Sequence, residues 1–323
     1  MKTLVYSDES EIRGGIEIFA DRQVARLRAE GRDVSYLRKL PADLSPFDEI
    51  FVHKCRNVAV LEAFPPERTT IYIHDHEPIC PRTYAYTPLR RNCRRPGGLW
   101  PCVICAPLCR DWRGALARVL SQRRRLAAIS RVSRIVVLSE FMKGRLVANG
   151  IDAGRVFVEP PQVSPDIVAL PGGDPPAADI DMLFAGQLIR GKGLQLLFRA
   201  MALMETRRTL DVVGTGNMKG GLTALAERLG LSGRIRWRGF QPNAADWMRA
   251  ARCVVVPSFW QEPYGLVAAE AVALGKPVVA FGIGGLPEAC GGKATLVPPG
   301  DIRALALALD DGAPAGLGET GER

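Results

Sequence analysis

The feature that most constrains this chain is an alternation of short apolar strands and helical stretches that runs once, breaks at a Pro/Gly-rich segment, and starts again. In the first half KTLVYS reads as a strand, and a turn containing Gly14 and Gly15 follows it. Residues 16–30 then carry helical spacing, with Ile18, Phe19, Val24 and Leu27 apolar, and Gly31 is a helix stop. Residues 33–37, 49–53, 70–74 and 134–138 read as further buried strands. The segment PDIVALPGGDPPAA, residues 165–178, is a linker signal. Beyond it, strands at 181–185, 209–213, 235–238, 253–257 and 277–280 alternate with helices at 193–204, 222–229, 245–249 and 266–274. This order predicts an α/β chain: two doubly wound, Rossmann-like domains, with ligands taken in a cleft at facing strand ends. The expected boundaries are 1–164, a linker at 165–178, and 179–309, with a Gly/Asp/Glu-rich tail, 310–323, read as disordered.

Length agrees, since 323 residues suit two domains better than one. No run of eighteen apolar residues indicates a spanning helix, and the MKTLVYSDES start lacks the apolar core and cleavage site of a secretion signal. A cytoplasmic protein is therefore expected. No repeat of solenoid length is present. The formal net charge of +9 suits an anionic partner such as a nucleotide or a membrane surface.

The most informative segment is residues 257–288, PSFWQEPYGLVAAEAVALGKPVVAFGIGGLPE. Glu262 lies in a loop, and Glu270 follows after seven intervening residues on the next helix. The turn Tyr264-Gly265-Leu266 sits at the start of that helix. Unpaired backbone N–H groups there, with the helix dipole behind them, can hold a pyrophosphate. A carboxylate further along can accept two ribose hydroxyls, and the loop carboxylate can meet sugar hydroxyls.

This segment resembles the donor motif of family 4 glycosyltransferases, which carry E-x-F-G-L-x-x-x-E-A, then G-x-P-V-V and G-G-x-P-E. All three occur here, with Tyr264 in the usual Phe place. The resemblance implies a GT-B fold. It also implies a retaining glycosyltransferase that moves a sugar from a nucleotide-sugar, UDP- or GDP-linked, to a hydroxyl of a small molecule, glycan or lipid-linked acceptor. Phe184-Ala185-Gly186-Gln187 followed by Lys192-Gly193 resembles the family's G-R-(four residues)-K-G, whose two cations neutralise the donor diphosphate. Lys192 matches, Gln187 replaces the Arg, and Arg190 in the same loop is the candidate substitute. Gly214 in Val213-Gly214-Thr215-Gly216 resembles the family's G-x-G after a strand, and Phe240 the position that meets the base. With no D-x-D motif, catalysis is expected to need no divalent metal.

In the first half the Gly14-Gly15 turn resembles the family's N-terminal loop, so Gly15 is a donor-phosphate candidate. His74 stands where the family places a His beside the transferred sugar. It is implied to contact a sugar hydroxyl and steady charge at the anomeric carbon, not to act as nucleophile. The implied route is front-face attack, with the departing phosphate taking the acceptor proton. His53, ending the preceding strand, is a weaker candidate.

After His74, residues 80–110 hold Cys80, Cys93, Cys102, Cys105 and Cys109. Cys102 and Cys105 have C-x-x-C spacing, which suits a structural zinc with Cys80 and Cys93, Cys109 being an alternative ligand. A reduced loop without metal is the other reading. Residues 112–134 form a strongly basic helical stretch, either a membrane-surface helix or a solvated one. Two other classes stay open: a GT-B-fold epimerase, and a non-catalytic nucleotide-sugar-binding regulator, for which the missing Arg at Gln187 speaks. No nucleic-acid motif appears.

Overall fold

The computed structural model describes residues 1–8, 15–81, 85, 92–93, 102, 105, 114–163 and 180–311. It divides into two compact units, Met1–Pro161 and Gln162–Arg323. The expected linker, 165–178, lies outside the described residues.

The first unit runs β1 (Lys2–Ser7), α1 (Gly15–Ala29), β2 (Asp33–Leu37), β3 (Glu49–Lys54), α2 (Val58–Ala63), β4 (Thr69–Ile73), α3 (Ala115–Arg131), β5 (Arg134–Val137), α4 (Glu140–Val147) and β6 (Val156–Val158). Its strands form one parallel sheet in the order β2-β1-β3-β4-β5-β6. A parallel sheet covered on both faces needs nearly continuous apolar strands, and β4 is buried at all five positions. Local chemistry sets the helix ends. Gly31, at φ +77°, closes α1 with its N–H on Arg28 and the next N–H on Leu27. Ser139 caps α4 by accepting from the Met142 N–H.

The second unit runs β7 (Ile180–Ala185), α5 (Leu194–Met201), β8 (Leu210–Val213), α6 (Lys219–Arg228), β9 (Ile235–Gly239), α7 (Ala244–Ala250), β10 (Ala251–Val256), α8 (Leu266–Ala273), β11 (Val278–Phe281), α9 (Leu286–Cys290), β12 (Thr295–Val297) and α10 (Ile302–Asp310). The sheet order is β12-β11-β10-β7-β8-β9, again parallel. One face packs Met182, Phe184 and Phe281 of the strands with Phe198 of α5 and Leu305 of α10, and the other packs Leu183 and Val254 with Trp247 of α7, Ala268 of α8 and Leu286 of α9. The unit does not stop at Leu309. The Asp310 carboxylate accepts from Glu205 N–H and from the backbone and hydroxyl of Thr206, fastening the end of α10 to the loop after α5.

Strand order locates the chemistry. In each sheet the winding reverses once, between β1 and β3 in the first and between β7 and β10 in the second. At such a reversal the following connections leave to opposite sides, opening a crevice at the carboxyl ends of the two strands.

Candidate functional site

In the second unit the loops after β7 and β10 carry the expected donor residues. They approach each other backbone to backbone because glycine stands at the contacts. Gly193 adopts φ +77°, and a Cβ there would lie 1.7 Å from the Pro257 carbonyl oxygen. Gly191 accepts from the Phe259 N–H at 3.1 Å, and its own Cβ would strike the Trp260 ring.

The result is a close pairing of two expected residues. Lys192 Nζ donates to Glu262 Oε1 at 2.6 Å. The same oxygen accepts from Ser258 Oγ at 2.6 Å and Trp260 Nε1 at 2.8 Å. Glu262 is buried, at 5% exposure. Burial alone would raise its pKa, but the Lys192 charge and the three hydrogen bonds outweigh it and hold the carboxyl below its ordinary range. Lys192, expected to face a diphosphate, is thus engaged with Glu262. The carboxylate is ionised and aimed by Ser258 and Trp260, two partners that spacing did not single out.

Gly265 starts α8 in the left-handed region, at φ +117°, where a Cβ would meet Leu286. Leu266 opens the helix, Glu270 lies half-buried on it, and Tyr264 is buried ahead of it. Gly285 N–H donates to the Glu262 carbonyl, tying the G-G-x-P-E turn to the same loop. Gly214 serves packing: at φ +134°, its Cβ would fall 1.9 Å from the Gly186 carbonyl oxygen. Gln187 and Arg190 are exposed, and Phe240 is 64% exposed just beyond β9.

In the first unit Gly15 opens α1, while Gly14 lies outside the described residues. Lys54, ending β3, pairs with the buried Glu17 of α1 at 3.1 Å. His74 follows β4 and is partly exposed. Its Nε2 lies 3.0 Å from His53 Nδ1, so the weaker histidine candidate is the direct partner of the stronger one. Burial among Phe19, Tyr72 and His53 pushes His74 down to about 4 and His53 well below its ordinary value, so both rings are neutral at physiological pH. Asp75 is pushed up to about 6 by burial, against the pull of its hydrogen bond from the Glu77 N–H. His53, His74 and Asp75 line a cavity of about 40 Å³ with Lys54, Glu77 and Arg125 and with apolar side chains such as Ile16 and Leu61.

Within the basic stretch, Arg125 is turned inward. It is buried, donates to the Cys55 and Arg56 carbonyls and pairs with Glu77 at 3.3 Å, while Arg124 reaches Glu62. Leu116 and Leu120 of α3 remain exposed. Among the described residues no three His, Cys, Asp or Glu side chains gather where they could hold a metal ion. Of the expected ligands, Cys80, Cys93, Cys102 and Cys105 are partly exposed thiols, and Cys109 lies outside the described residues. Among the described residues no helix is long and apolar enough to cross a membrane.

Two helix-wrapped parallel sheets, each with charged and polar side chains gathered at its reversal, make this an α/β protein of the GT-B class. Residues 179–311, within the second unit, match the family described as glycosyl transferases group 1. The chain is 38% identical over 201 residues to D-inositol 3-phosphate glycosyltransferase 2 of Catenulispora acidiphila, covering 54% of this chain and 46% of that one. It is 40% identical over 145 residues to the D-inositol 3-phosphate glycosyltransferase of Streptomyces scabiei, covering 40% and 32%. The chain thus matches less than half the length of these curated relatives. Its fold is shared with Anabaena HepE, solved with UDP and glucose, at TM-score 0.70 and 20% identity over 96% of this chain and 89% of that one. Sucrose-phosphate synthase of Thermosynechococcus elongatus gives TM-score 0.69 and 20% identity over 98% and 92%.

Proposed function

We propose that the chain is a retaining glycosyltransferase of family 4 that moves a hexose from a UDP- or GDP-sugar to a hydroxyl acceptor. The observation that carries the reading is the Lys192–Glu262 pair at the β7/β10 reversal, with Gly265 and Glu270 on the adjoining helix. A lysine and a helix start suit a diphosphate, and a half-buried carboxylate on the same helix suits ribose hydroxyls. The relatives named for glycosyl transfer and the neighbour solved with UDP and glucose support a nucleotide-sugar donor.

In this reading the second unit holds the donor through Arg190, Lys192, Gly214, Phe240, the Tyr264–Leu266 turn and Glu270, and Gly15 of the first unit is a candidate phosphate contact. Lys192 exchanges part of its bond with Glu262 for the diphosphate, which frees the carboxylate to take sugar hydroxyls. His74 holds a further sugar hydroxyl. The leaving phosphate removes the acceptor proton, and Lys192 stabilises the charge that develops on it. No divalent metal takes part in the reaction. The protein works in the cytoplasm, and exposed Leu116 and Leu120 among the α3 arginines suit contact with an anionic membrane that carries a lipid-linked acceptor.

The test is a donor screen. UDP-, GDP-, ADP- and dTDP-sugars are added to the purified chain, and thermal stabilisation and nucleotide release are measured. One donor at a hundredfold excess over its Kd is expected to add about 2.7 kcal/mol to the stability of the chain. Glu262→Ala should keep that stabilisation and lose nucleotide release. No stabilisation by any of the four would overturn the reading.

A further inference from the structure

The rings of His53 and His74 stack with centroids 5.3 Å apart and planes at 27°. Their facing nitrogens, His53 Nδ1 and His74 Nε2, are 3.0 Å apart. A bond between two ring nitrogens needs one N–H and one lone pair, so the tautomer of either ring dictates that of the other.

The far side of His53 breaks the tie. His53 Nε2 is within hydrogen-bond distance of Gln23 Oε1, which has only lone pairs to offer, so Nε2 carries the hydrogen. In the structure the Gln23 amide stands with its oxygen toward His53 and its nitrogen toward the Tyr72 hydroxyl, to which Nε2 donates at 2.7 Å. A neutral imidazole has one N–H. With it spent on Gln23, His53 Nδ1 is a bare acceptor, and the hydrogen in the histidine–histidine bond belongs to His74 Nε2. That leaves His74 Nδ1 as a lone pair, with no partner among the described residues.

We propose that His53 and Gln23 are positioning residues that lock His74 in its Nε2–H tautomer, so that it meets its ligand through Nδ1 as an acceptor. The group facing His74 is then a hydroxyl that donates, rather than a phosphate or carbonyl oxygen that would need a donor. Ring walls hold the orientation: Phe19 meets His74 edge-on at 5.1 Å, and Tyr72 stacks on His53 at 4.6 Å. The nearby charges are Glu17 and Lys54, which are paired to each other, and Asp75, Glu77 and Arg125 in the lining of the same cavity, the last two also paired. Calling the ligand group a sugar hydroxyl rests on the proposed transfer reaction; the tautomer is a property of the unliganded chain.

The experiment needs no substrate. The chain has three histidines, so 15N-histidine labelling of the full chain gives a spectrum that single substitutions assign. At neutral pH we expect one His74 tautomer, with hydrogen on Nε2 and Nδ1 bare, and a 15N–15N coupling between His53 Nδ1 and His74 Nε2. In Gln23→Leu, His53 loses the partner that orients it, and a second tautomer should appear for both rings. In His53→Phe the coupling is lost, and the His74 Nε2 hydrogen should exchange with water. Hydrogen on His74 Nδ1 in the unaltered chain overturns the proposal. So does an unchanged His74 spectrum in a folded Gln23→Leu chain. If that variant does not fold, the unaltered chain alone decides. In the transfer assay Gln23→Leu should lower kcat with little change in the donor KM. An inactive chain that still shows the stated tautomer would defeat the transfer reading and leave the relay standing.

Discussion

Replacing Lys192 by Met tests whether the Lys192–Glu262 pair is an electrostatic unit or an incidental contact. The substitution keeps the length of the side chain and leaves a carboxylate 5% exposed without its counter-charge. Breaking a buried ion pair from one side costs about 3–5 kcal/mol. The low end applies, because the Lys192 side chain is 25% exposed and Glu262 keeps its bonds from Ser258 and Trp260. A loss of about 3 kcal/mol should lower the midpoint of the second unit by roughly 6–12 °C. The pH dependence gives the sharper readout. The folded-state pKa of Glu262 is depressed, so its stabilisation is fully present above the ordinary value of 4.5 and is lost as pH falls through the folded value. The deficit of Lys192→Met should therefore be largest near pH 7 and shrink as acid protonates Glu262. Adding Glu262→Gln should recover about 2 kcal/mol, since no charge is then left unpaired. Scanning calorimetry at several pH values on the four chains measures all of this. An equal deficit at neutral and acid pH, or strict additivity of the two substitutions, would refute the reasoning.

Other outcomes follow from the same geometry. Glu270→Ala should weaken nucleotide binding by roughly ten- to a hundredfold, the worth of about 1.5–3 kcal/mol of charge-assisted hydrogen bonding, and an unchanged Kd by titration calorimetry would rule out the ribose role. Gly193→Ala forces a side chain into φ +77° and against the Pro257 carbonyl, so a loss of at least about 3 kcal/mol is expected in urea unfolding. His74, with a folded pKa of about 4 against an ordinary 6.5, contributes stability that is present above pH 6.5 and fades as pH falls toward 4. An NMR titration placing its pKa at or above 6.5 would contradict that. Nucleotide release should survive EDTA, and activity abolished by EDTA and restored by magnesium or manganese would refute metal-independent transfer.

Much of the architecture was legible because a parallel sheet buried on both faces writes itself as short apolar runs, and the helices between them as a 3.6-residue period. β1 and β2 were bounded to the residue, and most other strands to within one or two. The elements that escaped were small or ambiguous. β6 and β12 have three residues each, and α9 has five, too few to show a period. In α10, IRALALALD alternates like a strand. It is helical because Asp301 caps it and its Leu305, Ala306 and Leu309 side chains complete the core.

The motif around Glu262 and Glu270 was readable because both residues sit on one loop and the helix that follows it, where spacing in the chain is spacing in space. Gln23 left a faint trace, as a polar residue on the same helix face as Ala20, Val24 and Leu27. By itself, then, the sequence determined the two α/β halves, the Glu262–Glu270 motif on the second and the candidacy of His74. Only the tertiary structure decided that Lys192 meets Glu262 across 70 residues and that His53 meets His74 across 21. Those contacts depend on which strands lie side by side, β7 beside β10 and β3 beside β4. Strand order comes from packing helices on both faces of a sheet, a global choice that no local window of residues records.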